Sequence, residues 1–272
     1  MADRPPRTSR PKMLWVVLGS IAGILLILGG TVAWLLGTSS GLSTLLGLGA
    51  RFGLPQITAQ GLEGSALGPI DAKNLHIEGP GYAITLVNLH MAWTPEALRN
   101  GRVEVQDLVA SRLIVETSGA NNEPLQLPAD LRLPYAVDVA HLRVGVVEHV
   151  VKGTGQSSIV ARDLEASFAS DGAHHKLSNL SVRAAGVSVQ GNAQLTGVRP
   201  FAVNAALDVQ GIDATPPWRA HVTAAGVLER LQVSATGSGQ GFEGTGEATL
   251  RPFAPVWIEH LVARIPRLDV QQ

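Results

Sequence analysis

The chain has 272 residues, a formal net charge of −1 and no cysteine, which excludes a disulfide framework and thiolate metal sites. Hydrophobic residues make up 45% and charged residues only 16%, the reverse of a disordered composition. With 21 Lys and Arg against 22 Asp and Glu, nothing in the charge balance suggests nucleic acid, which needs a basic face.

Residues 1–12 form a polar tail in which Arg4, Arg7, Arg10 and Lys12 face a single acid, Asp3. Residues 13–36 then run without a charge. As a helix this stretch reaches roughly 36 Å, enough for a hydrocarbon core of about 30 Å. A transmembrane signal anchor is therefore predicted, marked by Met13, Trp15, Ile24, Leu28, Trp34 and Leu36. Trp15 and Trp34 lie near its ends, where indole rings prefer the headgroup layer. The positive excess before the span keeps the N-terminus cytoplasmic and sends the remainder across. Gly37-Thr38-Ser39-Ser40-Gly41 ends the run, and Leu42, Leu45, Leu46 and Phe52 recur at helical spacing. Residues 37–55 are expected to form an amphipathic helix, lying at the membrane surface or packed on the first strands.

From Gln56 the period becomes two. Ala83 to Trp93 is strand-like, with a phase change at Leu86-Val87 that suggests a bulge. Thr94-Pro95-Glu96 has the signature of a short helix start with Thr94 as cap, and Asn100-Gly101 ends it. Two strands, Val103–Gln106 and Arg112–Thr117, are expected next, completing an N-terminal module over 56–117. Residues 118–134 are rich in chain breakers and read as a linker or long loop.

Residues 135–272 alternate apolar and polar side chains in short runs separated by turn residues, the pattern of antiparallel strands with one solvated face. The apolar set includes Leu142, Val144, Leu164, Phe168, Val187, Val189, Leu195, Phe201, Val203, Leu207, Val222, Val233, Phe242 and Leu250. Two arrangements fit: a sandwich closing these faces on each other, or a long curved sheet whose apolar face stays accessible. Many apolar positions are Ala, Val or Gly, and aromatics are only 4%, too few for a thick core. An exposed apolar face of that extent needs an apolar ligand.

Motifs for catalysis are lacking: there is no nucleophile elbow, Walker loop or His-Glu-x-x-His pattern. Gly239-Gln240-Gly241-Phe242-Glu243-Gly244 matches G-x-G-x-x-G, but strand-like alternation follows it where a dinucleotide site needs a helix. His174-His175 next to Asp171-Gly172 reads as a solvated turn rather than a metal site, since adjacent strand residues face opposite ways. A non-enzymatic protein without cofactor is expected.

An N-terminal anchor leading into Gly37–Leu42 resembles the start of the TamB family. Leu75-His76-Ile77, Asn88–Trp93, Thr94–Gly101, Val103-Glu104-Val105 and Leu113-Ile114-Val115 resemble the strand, one-turn helix, strand, strand module of TamB, AsmA-like and bridge-like lipid-transfer proteins. The resemblance covers about residues 13–117; beyond them only the alternation pattern is shared. It implies a mostly β fold: one transmembrane helix, then an elongated, taco-like antiparallel β groove with a short helix near 95–100. It also implies a single-pass inner-membrane protein of bacteria, its bulk periplasmic, passing phospholipid toward the outer membrane. An outer-membrane barrel of the Omp85 type would be its partner in assembling outer-membrane proteins such as autotransporters. The alternative is an AsmA-like scaffold or assembly factor that binds client β-strands without lipid transport. Family members are several times longer and carry a C-terminal domain not found here, so the sequence reads as an N-terminal piece.

Overall fold

The computed structural model describes residues 56–79, 82–118, 127, 129–153, 157–254, 256 and 258–268. The expected span with Met13, Trp15, Ile24, Leu28, Trp34 and Leu36, and the expected helix over 37–55, lie outside these residues. No helix among the described residues is long and apolar enough to cross a membrane.

Strands dominate. They are β1 (Gln56–Gln60), β2 (Glu63–Gly64), β3 (Ile70–Gly79), β4 (Tyr82–Thr94), β5 (Arg102–Ser118), β6 (Ala136–Lys152) and β7 (Ser157–Ser170). There follow β8 (His174–Ala184), β9 (Val187–Thr196), β10 (Ala202–Gly211), β11 (Trp218–Val227), β12 (Arg230–Gly239), β13 (Phe242–Leu250) and β14 (Ile258–Leu268). All belong to one sheet, ordered as in the sequence from β3 onward, with β1 and β2 both paired to β3. The sheet curls without closing, so a two-sheet sandwich is not the fold.

Two expectations need correction. The sheet is not wholly antiparallel: β5 and β6 run parallel, Arg102 opposite Ala136 and Ser118 opposite Lys152. Ser118 at the end of β5 and Ala136 at the start of β6 therefore lie at opposite ends of the pair, as parallel strands require. Residues 102–118 form one strand rather than two. The Asp107-Leu108 step that seemed to divide it lies beside a register irregularity between Ala92 and Trp93 on β4, where a bulge takes up the break in alternation.

The short helix over Pro95–Asn100 is a 3-10 helix. Thr94 is extended and makes no side-chain cap; its Oγ1 instead accepts from Gln106 Nε2. Gly101 closes the helix in the left-handed region, φ 66°, where a residue without Cβ fits at no steric cost.

The phase change near Leu86-Val87 belongs to a seam across five strands. Flanking register pairs align Lys73, Asn88, Ser111, Gly145 and Asp163 in one row. Along each strand the apolar side chains step by three here instead of two: Ala72 to Leu75, Leu89 to Leu86, Ala110 to Leu113, Val144 to Val147, Leu164 to Ala161. Asn88 (φ 49°) and Asp163 (φ 50°) take left-handed conformations, which short polar side chains tolerate. Asn88 Nδ2 donates to Ser111 Oγ at 3.2 Å, and Ser111 Oγ donates to the Val87 carbonyl at 3.0 Å. Because all five strands shift together, their register survives.

Candidate functional site: an apolar face across the sheet

Register pairs share a face, so following them shows how far one surface extends. Starting at β4, Trp93 pairs with Val105, Val105 with Val139, Val139 with Phe168 and Phe168 with Leu177. The series continues through Ala193, Ala205, Ala224, Val233 and Ala248 to Leu261 on β14. Every strand from β4 to β14 contributes one apolar side chain to this rung.

Parallel rungs widen it. On one side Leu195, Val203, Gly226, Leu231 and Leu250 are successive partners. On the other run Leu180, Gly191, Leu207, Val222, Ala235 and Gly246, then Val182, Val189, Val209 and Ala220. Toward β3, Leu142 lies between Leu108 and Ala166, and Val144 between Ala110 and Leu164. Val187 pairs with Ala184 and Gly211 at the far strand ends.

Exposure changes along this face. Ala72, Leu89, Ala110, Val144 and Ala166 are buried, whereas Val189, Leu207, Val222 and Ala235 are half-buried. At β14, Leu261 is 67% exposed. The surface is thus shielded at its N-terminal end and open toward its C-terminal edge. On the opposite face Gln190, Asn192, Asn204, Asp208, His221 and Gln232 are exposed.

Most of the residues expected to line a groove therefore share this face. Phe201 does not. It lies in the turn before β10, fully buried, with φ 56°, because the strand starts at Ala202 and the ring folds into the turn under the Arg199 guanidinium. Phe242 is placed by its backbone register opposite Gly239 and Leu268. Sequence reasoning overlooked Trp93, Val105, Val139, Leu177 and Leu180. The first two lie beside the irregularity at Ala92/Trp93, and the last two flank Asn179, whose left-handed φ of 53° shifts the alternation in β8.

Polar groups on the apolar face are few and mostly satisfied. His175 Nε2 donates to the Leu131 carbonyl at 2.9 Å, and its Nδ1 meets Ser170 Oγ at 2.9 Å. Ser170 Oγ also accepts from the Gly172 N–H at 3.0 Å, and the imidazole stacks on Phe168. Together with Leu131 N–H to the Gly197 carbonyl and Leu133 N–H to the Gly172 carbonyl, both 2.9 Å, this ties the returning chain to two turns. Trp93 Nε1, in contrast, is buried without a hydrogen-bond partner.

The polar face carries exposed contacts between neighbouring strands: Asp71 hydrogen-bonds His90 at 2.7 Å and Asp208 hydrogen-bonds His221 at 2.8 Å, and Asp107 forms an ion pair with Arg143 at 3.2 Å. An exposed ion pair of this kind contributes about 0–1 kcal/mol. His174 bonds Asp171, not His175's partners, and no group of three or more metal-ligating side chains occurs among the described residues. Gly239 to Gly244 span the β12–β13 hairpin, with Gly241 at φ 87°.

A single open sheet, curled and apolar along one face over eleven successive strands, defines the class: an extended β-trough protein. Residues 28–155 match the family model of the TamB N-terminal domain. That match supports a TamB-family relationship over residues 28–155. The match takes in β1 to β6, and β7 to β14 continue the same rungs beyond it. No curated protein and no solved structure matches the chain.

Proposed function

We propose that the apolar face is a path for phospholipid acyl chains between the inner and outer membranes of a bacterial envelope. Residues 13–36 would anchor the chain with its N-terminus cytoplasmic and its bulk periplasmic. An Omp85-type outer-membrane barrel is the partner this reading implies, in support of outer-membrane protein assembly. The observation that carries it is the unbroken rung from Trp93 to Leu261, with no second sheet packed on it among the described residues. Each methylene exposed to water costs about 0.8 kcal/mol, so a continuous apolar surface lowers the cost of leaving a bilayer while the headgroup stays in solvent. The role is binding and transport, without catalysis or cofactor.

Native mass spectrometry of the full chain, purified in mild detergent, tests this reading. Bound phospholipid is the expected result. Lipid-free protein that captures unfolded outer-membrane segments would instead favour an assembly factor. That second reading draws on the free edge of β14, where Leu261 is 67% and Ile265 60% exposed and an incoming strand finds unpaired backbone groups.

A further inference from the structure

Beside the far end of the trough, where β7 begins and β8 turns into β9, two arginines have no part in the acyl path. Arg162 and Arg183 are register partners on adjacent strands, and like charges directly opposite one another are unfavourable. Arg183 Nη1 donates to Asp163 Oδ2 at 3.0 Å. Among the described residues Arg162 has no acidic partner. Both side chains line a cleft of about 220 Å³ whose other walls include Ile159, Val160, Ala184 and Ile212. Ile159 is 51% and Val160 46% exposed. Ala184, next to Arg183 in the chain but on the apolar face and paired with Val187, also lines the cleft, so the cleft wraps the strand ends between the guanidiniums of the polar face and the rim of the apolar one.

We propose that this cleft binds the phosphate of an anionic phospholipid, with the adjoining part of its chain on Ile159 and Val160. The inference rests on the conduit reading and adds a headgroup preference to it. A guanidinium offers a planar fork of donors that matches phosphate oxygens. A lipid with net negative charge relieves the Arg162–Arg183 repulsion, whereas a zwitterionic lipid brings its own ammonium close to two cations. A small soluble anion would leave the apolar walls wet; an amphiphile covers both halves of the cleft.

The test uses the full chain reconstituted in vesicles of equimolar phosphatidylglycerol and phosphatidylethanolamine, then extracted in mild detergent for native mass spectrometry. Phosphatidylglycerol is expected to be enriched on the wild type. The Arg162→Gln/Arg183→Gln double variant should return to the membrane ratio with total bound lipid unchanged. Asp163→Asn, which keeps a side chain suited to the left-handed conformation, should raise the enrichment by freeing Arg183. Wild-type lipid at the membrane ratio, or enrichment that persists in the double variant, overturns the headgroup site and leaves the conduit standing. Loss of enrichment on adding inorganic phosphate alone would make this a soluble-anion site and overturn the lipid assignment. If no form carries lipid, the conduit falls and this site with it.

Discussion

Gly191 faces Leu207 across the β9–β10 pair so closely that a Cβ on Gly191 would lie 2.9 Å from Leu207 Cδ2 and 2.2 Å from the Ala206 carbonyl oxygen. The backbone contact cannot be relieved by turning a side chain. Gly191→Ala is expected to cost about 1–3 kcal/mol, the range for overpacking, read as a lowered urea midpoint. Gly246→Ala, on the same rung four strands away, would bring its nearest contact only to 3.8 Å and should be close to neutral.

Among the described residues Phe201 is the one large side chain with no exposed surface. Phe201→Ala should cost about 3–5 kcal/mol, more than truncating any half-buried valine of the trough. Equilibrium unfolding of the two classes of variant makes the comparison.

The Ser170–His175 pair predicts a local effect. Ser170→Ala removes the partner of His175 Nδ1 and of the Gly172 N–H, and buried polar groups left unpaired cost about 1–3 kcal/mol. Amide exchange should quicken first at Leu131 and Leu133, whose N–H groups bond Gly197 and Gly172.

Asp171 supplies a pH dependence. Its carboxylate accepts the backbone N–H of His174 at 2.7 Å, the His174 ring at 2.9 Å and the Ala173 N–H at 2.8 Å. These bonds hold its pKa well below the usual carboxylate value, the His174 backbone bond most of all. A depressed folded pKa adds stability above the unfolded value of about 3.9, lost as pH falls toward the folded one. Wild type and Asp171→Ala should therefore differ by a constant amount from neutral pH to mildly acidic conditions. The difference should shrink below about pH 4.

For the trough, Val189→Asp and Val203→Asp place a charge on the apolar face, while Gln190→Asp and Asn204→Asp place it on the exposed polar one. The first pair should lower the lipid bound per chain and the second leave it near wild type. Equal behaviour of the two pairs would remove the face assignment.

Alternation from Val187 to Leu250 made the strands and their two faces readable, because each of those strands keeps a strict period of two. The seam was less legible. Asn88 and Asp163 interrupt the period in single strands, and only the pairing shows that the interruptions line up. The parallel return of β6 was hidden as well, since residues 119–135 carry breakers but nothing that gives direction. Phe201 looked like the first residue of an alternating run; the positive φ that turns it into the fold has no signature in its type. The arginine cleft joins residues of β7 and β8 with Ile212, and such convergence is set by register alone.

The wiring of β5 to β6 bears on how the sheet assembles. Neighbours from β6 to β14 meet through short connections, whereas β5 and β6 run parallel and are separated in the chain by residues 119–135, and longer closure carries a larger entropic toll and slower formation. The strand pairs on either side of residues 119–135 close over shorter separations than the β5–β6 pair does. The oily track becomes continuous only when the two sides join.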